Sequence, residues 1–363
     1  MDKKMNKDQL LNWLKEISEV PGPSGFERRV RDLMIRRLEG KCEVLEDKIG
    51  SVIFKKQGVG NGPGIMLAAH MDEIGFLVKS VTKEGFLKFV TLGGWWEQVM
   101  LGQRVTVMSP KGDIPGVIGS KPPHVLSAEE RKKMVLKKEM YIDIGAADKK
   151  EAEETMGVTP GVPVVPFTPF TPMANQDLLV GKAWDDRVGC AVLTDVLQQL
   201  GSIQHPNTVF GVGTVQEEVG CRGAKTSADV IGPHVAIAVD TCIAGDTPGM
   251  SEDQASAKLG AGVAVCIYDA SMIPHVRLRD FVIETAKASG IPYQLEFSEG
   301  GGTDGGRIHL HAQGVPSIVL SVPTRYIHSH NGIISRKDYD STVNLIIELL
   351  KKLDDKKMQE LLG

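Results

Sequence analysis

The sequence has little of what marks several common protein classes. Its five cysteines (Cys42, Cys190, Cys221, Cys242 and Cys266) are odd in number and form no CxxC pair. Neither a disulfide framework nor a cysteine-zinc ribbon is therefore expected, and a reducing compartment fits. There is no basic excess: 42 Lys and Arg stand against 46 Asp and Glu, a formal net charge of −4, which argues against a nucleic-acid binder. Runs such as Arg131–Lys133 and Lys356-Lys357 are short and read as solvated helix faces. No segment approaches the length needed to cross a bilayer. The first twenty residues place Leu10, Leu11, Leu14, Ile17 and Val20 at helical spacing. They carry neither a continuous apolar core nor a small-residue cleavage site, so an amphipathic helix is expected rather than a signal peptide. A cytoplasmic protein is the expectation. Internal repeats and low-complexity stretches are also absent.

What is present suits a soluble enzyme-sized chain. At 363 residues, 42% hydrophobic and with 40 glycines, it has material for one large domain or two ordinary ones. Helices are expected at the N-terminus and over Phe26–Leu38, with strands near Cys42–Leu45 and Ser51–Lys55. The continuous apolar run Gly64–Ala69 reads as a fully buried strand that ends in His70-Met71-Asp72-Glu73. From about Ile74 to Phe167 the texture changes to short β-rich runs: Gly75–Val81, Phe86–Thr91, Gln103–Met108, Ile114–Ile118 and Met140–Ile144. A charged helix is expected at Ser127–Lys138, and the Pro-rich stretch Thr159–Pro166 reads as a link back. This predicts a small barrel or sandwich inserted at residues 74–166 into an α/β domain formed by 1–73 and 167–363.

Beyond it, strands and helices alternate: a helix Val188–Leu200, a strand Val209–Val215, a helix Ala224–Ile231 and a strand Val235–Val239. Gly262–Ile267, His275–Ala288, Tyr293–Phe297 and Val315–Val322 follow, and Asp338–Leu353 is expected as the last helix. The pattern predicts a mostly parallel, helix-covered sheet.

The chemistry gathers at strand ends. The run Val209–Val215 leads into two adjacent carboxylates, Glu217 and Glu218, whose joint burial is costly unless cations offset them. His70, Glu218 and Asp240 end buried strands, His328 lies just past another, and Asp185 sits at a helix N-terminal edge. In open α/β sheets, ligands bind outside the carboxyl ends of strands. Imidazole and carboxylate together suit zinc, cobalt or manganese. Five such ligands with a bridging carboxylate suggest two ions sharing a water, which leaves Glu217 as general base. Asp72 is placed to accept the other ring N–H of His70.

Each residue also has a plain structural reading. Asp185 suits a helix N-cap, with Asp186 the stronger cap if Asp185 turns to metal. His330 competes with His328, and His309 and His311 read as structural. Cys190, Cys221 and Cys242 read as small buried hydrophobes. The glycine loop Gly300–Gly306 lacks the Lys-Ser/Thr of a phosphate cradle and reads as permitting close backbone approach.

The motifs AAHMDEIGF (68–76), GKAWDDRVGC (181–190), TVQEEVGCRGA (214–224), AVDTC (238–242), GGTDGGRI (301–308) and IHSH (327–330) together resemble the tetrahedral (TET-type) metallo-aminopeptidases. That family comprises glutamyl and deblocking aminopeptidases, and some relatives carry the label endoglucanase. The resemblance spans essentially the whole chain. It implies two divalent metal ions per subunit, zinc or cobalt first and manganese also admitted. His70 and Asp240 would hold one ion, Glu218 and His328 the other, and Asp185 would bridge them with Glu217 as the base. It further implies hydrolysis of the N-terminal residue from short unblocked peptides, an inserted dimerisation domain, and assembly into a twelve-subunit tetrahedron. Competing readings are a metal-dependent N-acyl deacylase, an endoglucanase and a scaffold without chemistry. The sequence leaves open which first side chain the substrate carries; a pocket with a Lys or Arg would favour an acidic one, and Lys258 and Arg325 are candidates whose position the sequence does not give.

Overall fold

The computed structural model describes residues 6–60 and 62–363. Three strands come first: β1 (Glu43–Glu46), β2 (Val52–Gln57) and β3 (Gly64–His70). Six more follow: β4 (Gly75–Val81), β5 (Leu87–Leu92), β6 (Arg104–Ser109), β7 (Gly112–Gly119), β8 (Tyr141–Asp143) and β9 (Pro163–Pro166). These six close into an antiparallel barrel in the order β4-β5-β8-β7-β6-β9. Two short strands, β10 (Thr171–Pro172) and β11 (Leu178–Gly181), return the chain to the first sheet. The remaining strands are β12 (Thr208–Thr214), β13 (Val235–Ile243), β14 (Val263–Tyr268), β15 (Tyr293–Phe297), β16 (Ser317–Arg325) and β17 (Gly332–Ser335).

The large sheet runs β1-β2-β12-β3-β13-β16-β17-β11-β10, with β14 on β16 and β15 on β14. Its four central strands, β12, β3, β13 and β16, are mutually parallel, while β2 and β17 flank them antiparallel. A parallel centre must be covered on both faces, and β3 shows how the sequence achieves this. Ile65, Leu67 and Ala69 pack into one apolar cluster and Met66 and Ala68 into another, following the two-residue alternation of a strand. The first cluster is roofed by helices Lys7–Glu19, Trp184–Gln199 and Arg336–Leu350, the second by Arg222–Ile231. No helix among the described residues is long and apolar enough to cross a membrane.

Three expectations fail. Ser127–Lys138 is not a helix but isolated turns at Glu130–Lys132 and Lys137–Glu139, because its side chains are mostly exposed and offer no apolar stripe to bury. The Pro-rich stretch is not merely a link. Pro163–Pro166 is the strand that closes the barrel, with both prolines at its ends and Val164 and Val165 inside, pairing with β4 and β6. The chain does not close on one helix either: the last long helix ends at Leu350, and a separate helix, Asp355–Leu362, starts where the Asp354 side chain accepts from the Lys357 amide.

One buried charge cluster ties the segments that follow β3 and β11 to the first helix and the turn after it. Arg187, fully buried, donates to the carbonyls of Met71, Ile17, Val20 and Gly22 and to Glu73. Lys182 Nζ donates to both Glu73 oxygens at 2.6 and 2.7 Å. Burial pushes the Lys182 ammonium down to about 8, with Glu73 opposing that fall. Removing the shared anion leaves two cations without it inside the protein. Glu73→Gln is therefore expected to destabilise the fold by about 3–5 kcal/mol, read as a lower urea midpoint, while an unmoved midpoint would contradict the account.

Candidate metal centre

All five sequence-identified ligand candidates converge at the carboxyl ends of the parallel strands. His70 is the last residue of β3, Asp240 lies in β13, Glu217 and Glu218 follow β12, and His328 follows β16. Asp185 opens the helix Trp184–Gln199 and is joined to Asp186 by a cis peptide bond. Its two oxygens face two different histidines, Oδ1 at 3.1 Å from His70 Nε2 and Oδ2 at 3.3 Å from His328 Nε2. His328 Nε2 is also 3.5 Å from Glu218 Oε2, and His70 Nε2 lies 3.9 Å from Glu217 Oε2 and 4.0 Å from Asp240 Oδ1.

Backbone strain surrounds this cluster. Among the described residues, non-glycine positive φ occurs at Ala183, Gln216, Cys221, Tyr326 and His328, all beside the site, and otherwise only at Ala312. Such conformations persist where surrounding structure over-determines them. At the Glu217-Glu218 turn the determinant is visible. The buried Asp72 carboxylate accepts from the amides of Glu217 (3.0 Å) and Glu218 (3.2 Å) and from Ser24 Oγ (2.6 Å). Glu27 Oε1 accepts from the Gln216 amide at 3.0 Å.

This corrects the expected partner of His70. Its Nδ1 lies 3.0 Å from the Asp72 backbone carbonyl, while the Asp72 carboxylate stands 3.6 Å away. The carbonyl fixes the ring, and the carboxylate is spent on the acidic turn. Asp186 fulfils the expected cap: Oδ1 accepts from the Gly189 amide at 3.0 Å and Oδ2 from the His70 amide at 3.2 Å.

The electrostatics are those of crowded, buried anions. Burial first, then neighbouring charge, pushes Glu217 and Glu218 each up to about 8, and Asp240 well above the carboxylate range. Asp185 moves the other way, since its bonds to His328 and His70 overcome the burial that would raise it. Burial works against a charged His328, yet Asp185 and Glu218 lift its imidazole to about 10. Glu218 Oε1 is buried without a hydrogen-bond partner among the described residues. A buried acceptor left so is costly, and a cation beside it would satisfy it. Donor atoms of His70, Asp185 and Glu218 lie within 4.8 Å of one another, as do those of His70, Asp186 and Asp240. With both Asp186 oxygens engaged by amides, Asp185 is the carboxylate left to reach both histidines. The nitrogen-and-oxygen donor set fits borderline divalent metals.

His330 is apart from this chemistry. It is buried, its ring nitrogens have no partner, burial pushes it down to about 4, and it meets Trp95 edge-on. His309 and His311 bond Gly305 and Asp229 instead. Cys190 and Cys242 sit in apolar clusters as expected, with Cys190 Sγ also donating to the His70 carbonyl at 3.1 Å, whereas Cys221 is only half-buried and its Sγ donates to Glu217 Oε1 at 3.1 Å.

The model of the M42 glutamyl aminopeptidase family matches residues 50–345. The chain belongs to that family. It is 41% identical over 353 residues to the putative aminopeptidase FrvX of Escherichia coli, covering 96% of this chain and 97% of the relative. It is 34% identical both to the glutamyl aminopeptidase of Lactococcus lactis (97% and 99% covered) and to the lysyl aminopeptidase of Pyrococcus furiosus (95% and 98%). Among solved structures, a TET aminopeptidase from a marine-sediment thaumarchaeon superimposes with TM-score 0.95 at 48% identity, covering 98% and 100%. The Pyrococcus horikoshii TET1 peptidase, described as assembling into a tetrahedron or a large octahedral shell, gives 0.86 at 34%, covering 95% and 100%. A Thermotoga maritima protein called an endoglucanase gives 0.78 at 32%, covering 96% and 99%.

Two contributors from the inserted barrel have no chemical signature of their own. Past β5, Gly94 accepts from His328 Nδ1 through its carbonyl at 2.8 Å. Gly93 has φ +79, and a Cβ there would lie 2.6 Å from Ile74 Cγ2 and 3.0 Å from Glu218 Oε2. The Gly-Gly pair ahead of Trp95-Trp96 was the only hint. Gly93→Ala is expected to weaken metal retention by about 10–100-fold without altering a candidate ligand, measured by competition with a chelator. Unchanged retention would show that the barrel loop does not shape the site.

Proposed function

We propose that the protein is a dinuclear metal-dependent aminopeptidase that removes the N-terminal residue from short, unblocked peptides. The observation that carries this is Asp185, which presents one oxygen to each of two histidines. On this reading His70 and Asp240 would hold one divalent ion and Glu218 and His328 the other, with Asp185 placed to serve both. The donor types favour zinc or cobalt and admit manganese. When bound, such a pair lowers the pKa of a shared water, polarises the scissile carbonyl and can hold the free α-amine.

The chain's own groups do the rest. Glu217, beside the cluster and hydrogen-bonded by Cys221, takes the water proton at its carboxylate and delivers it to the leaving amine. Asp72 positions Glu217 and Glu218 through their amides, and its backbone carbonyl orients His70. Gly94 orients His328 in the same way.

Glu217→Gln is expected to retain about the wild-type metal content, measured by elemental analysis, while turnover falls by about 10²–10⁴-fold. Loss of metal in that variant would assign Glu217 as a ligand instead. Release of free amino acids from a peptide panel, unblocked and N-acetylated, tests the substrate class. Cleavage of only the acylated forms would move the assignment to a deacylase.

The same reading divides the chain into a catalytic domain of residues 1–73 and 167–363 and a barrel of 74–166 that mediates dimerisation, with dimers building a tetrahedral dodecamer. The barrel's exposed Trp96, Val125, Met134 and Leu136 support it as a contact region. Light scattering should give a particle close to twelve times 39.3 kDa, and a stable monomer would refute the assembly. Five free thiols suit the cytoplasmic setting we assign.

A further inference from the structure

The candidate centre opens into a cavity of about 830 Å³. Away from the metal-ligand candidates, its wall carries four further carboxylates: Asp253, Asp269, Glu296 and Glu299. No lysine or arginine among the described residues lines it. The two basic residues singled out in the sequence are committed elsewhere. Lys258 Nζ pairs with Glu252 at 2.7 Å on the surface, and Arg325 binds Asp246 at 2.7 and 2.9 Å. The expectation that either one recognises an acidic substrate residue is thereby overturned.

Two divalent ions would offset Asp185, Glu217, Glu218 and Asp240, four anions against four positive charges. The four wall carboxylates remain without a positive counterpart in the cavity. Glu296 is the most telling of them. It lies on β15 with only 8% of its surface exposed, and its neighbours are the Cys266 thiol and the Asp269 carboxylate rather than any cation. Burial and then Asp269 push it up to about 7. Among the described residues Asp269, also buried, accepts only from neutral donors: the Ser271 amide and hydroxyl at 2.7 and 2.6 Å and Thr303 Oγ1 at 3.2 Å. Two buried carboxylates close enough to repel one another cost free energy that an incoming cation would recover.

Resting on the aminopeptidase reading above, we propose that this cavity binds the side chain of the substrate's first residue and selects lysine or arginine there. A peptide with its α-amine at the metal pair would extend its first side chain along the acidic wall. An ammonium or guanidinium would meet Glu296 and Asp269 at the buried end and Asp253 and Glu299 nearer solvent. A substrate glutamate would be repelled by the same four groups, and such repulsion is as much a part of specificity as attraction. Overall similarity does not decide this, since glutamyl and lysyl relatives are equally identical to the chain. The wall charge does.

The test is hydrolysis of aminoacyl-coumarin substrates carrying Lys, Arg, Leu or Glu, by the full-length protein loaded with zinc and separately with cobalt. Lys and Arg should exceed Leu in kcat/KM by at least about tenfold, and Glu should be the poorest. In Glu296→Gln the Lys-to-Leu ratio should fall by about tenfold, mainly through KM. Should that buried substitution fail to fold, the exposed pair Asp253→Asn with Glu299→Gln should lower the same ratio by a smaller factor. Raised ionic strength should lower it too. Preference for Glu, or variants that change Lys and Leu cleavage equally, would overturn the selectivity while leaving the aminopeptidase standing. Release from no substrate with either metal would overturn the aminopeptidase itself and the selectivity with it.

Discussion

The structure turns on one carboxylate placed between two imidazoles. Asp185 can face both His70 and His328 only because three chain segments far apart in sequence end at one edge of the sheet. The parallel pairing of β3, β12, β13 and β16 brings them there. A sheet with that parallel centre must be buried on both faces, which is why the apolar runs are continuous and why their polar ends are so conspicuous. The cost of gathering anions in a desolvated place is met partly by the histidines and partly by amide donors. Asp72 receives two of those donors from the acidic turn, so the residue that positions Glu217 and Glu218 is itself a stabilised buried anion.

The barrel is not a passive appendage to this arrangement. Its loop past β5 gives a carbonyl to His328, and the bare Cα of Gly93 makes room for Glu218. Trp95 stacks on Phe76 at 4.6 Å, meets His330 edge-on and donates to the Gly75 carbonyl, which joins the barrel wall to the segment that follows β16. On the outer side, Arg29 grips Asp113 with two bonds of 2.6 and 2.9 Å. Metal chemistry and the packing of the inserted unit are therefore linked through backbone atoms more than through charged side chains.

That distinction explains what could be read in the sequence. His70, Glu218, Asp240 and His328 were legible because each is a metal-competent residue at or just past the end of an apolar run, and Asp185 because it stands at the N-terminal edge of an apolar helix, patterns that burial makes expensive unless they are used. The layer behind them was not. The Asp72 carboxylate looks like a partner for His70 two residues away, yet its actual partners are the Ser24 hydroxyl and two amides 145 and 146 residues distant. Cys221 has no local pattern that announces a bond to Glu217. Gly94 acts through its carbonyl, which every residue possesses. The misread segments share a cause: periodicity reports local tendency, while closure of the barrel by Pro163–Pro166 and the failure of Ser127–Lys138 to form a helix were decided by what lay nearby to bury them. The left-handed residues at Ala183, Gln216 and Cys221 are likewise invisible in a string of letters, because no glycine marks them.

The most direct test of the central claim is a crystal of the zinc-soaked protein with anomalous diffraction measured on both sides of the zinc edge. The account predicts two peaks in each chain, roughly 3.5–4 Å apart, one beside His70 and Asp240 and the other beside His328 and Glu218, each in contact with a different oxygen of Asp185. A single peak would contradict it, as would zinc held with the two histidines left bare by Glu217, Cys221 and Asp304, whose donor atoms also lie within 4.8 Å of one another.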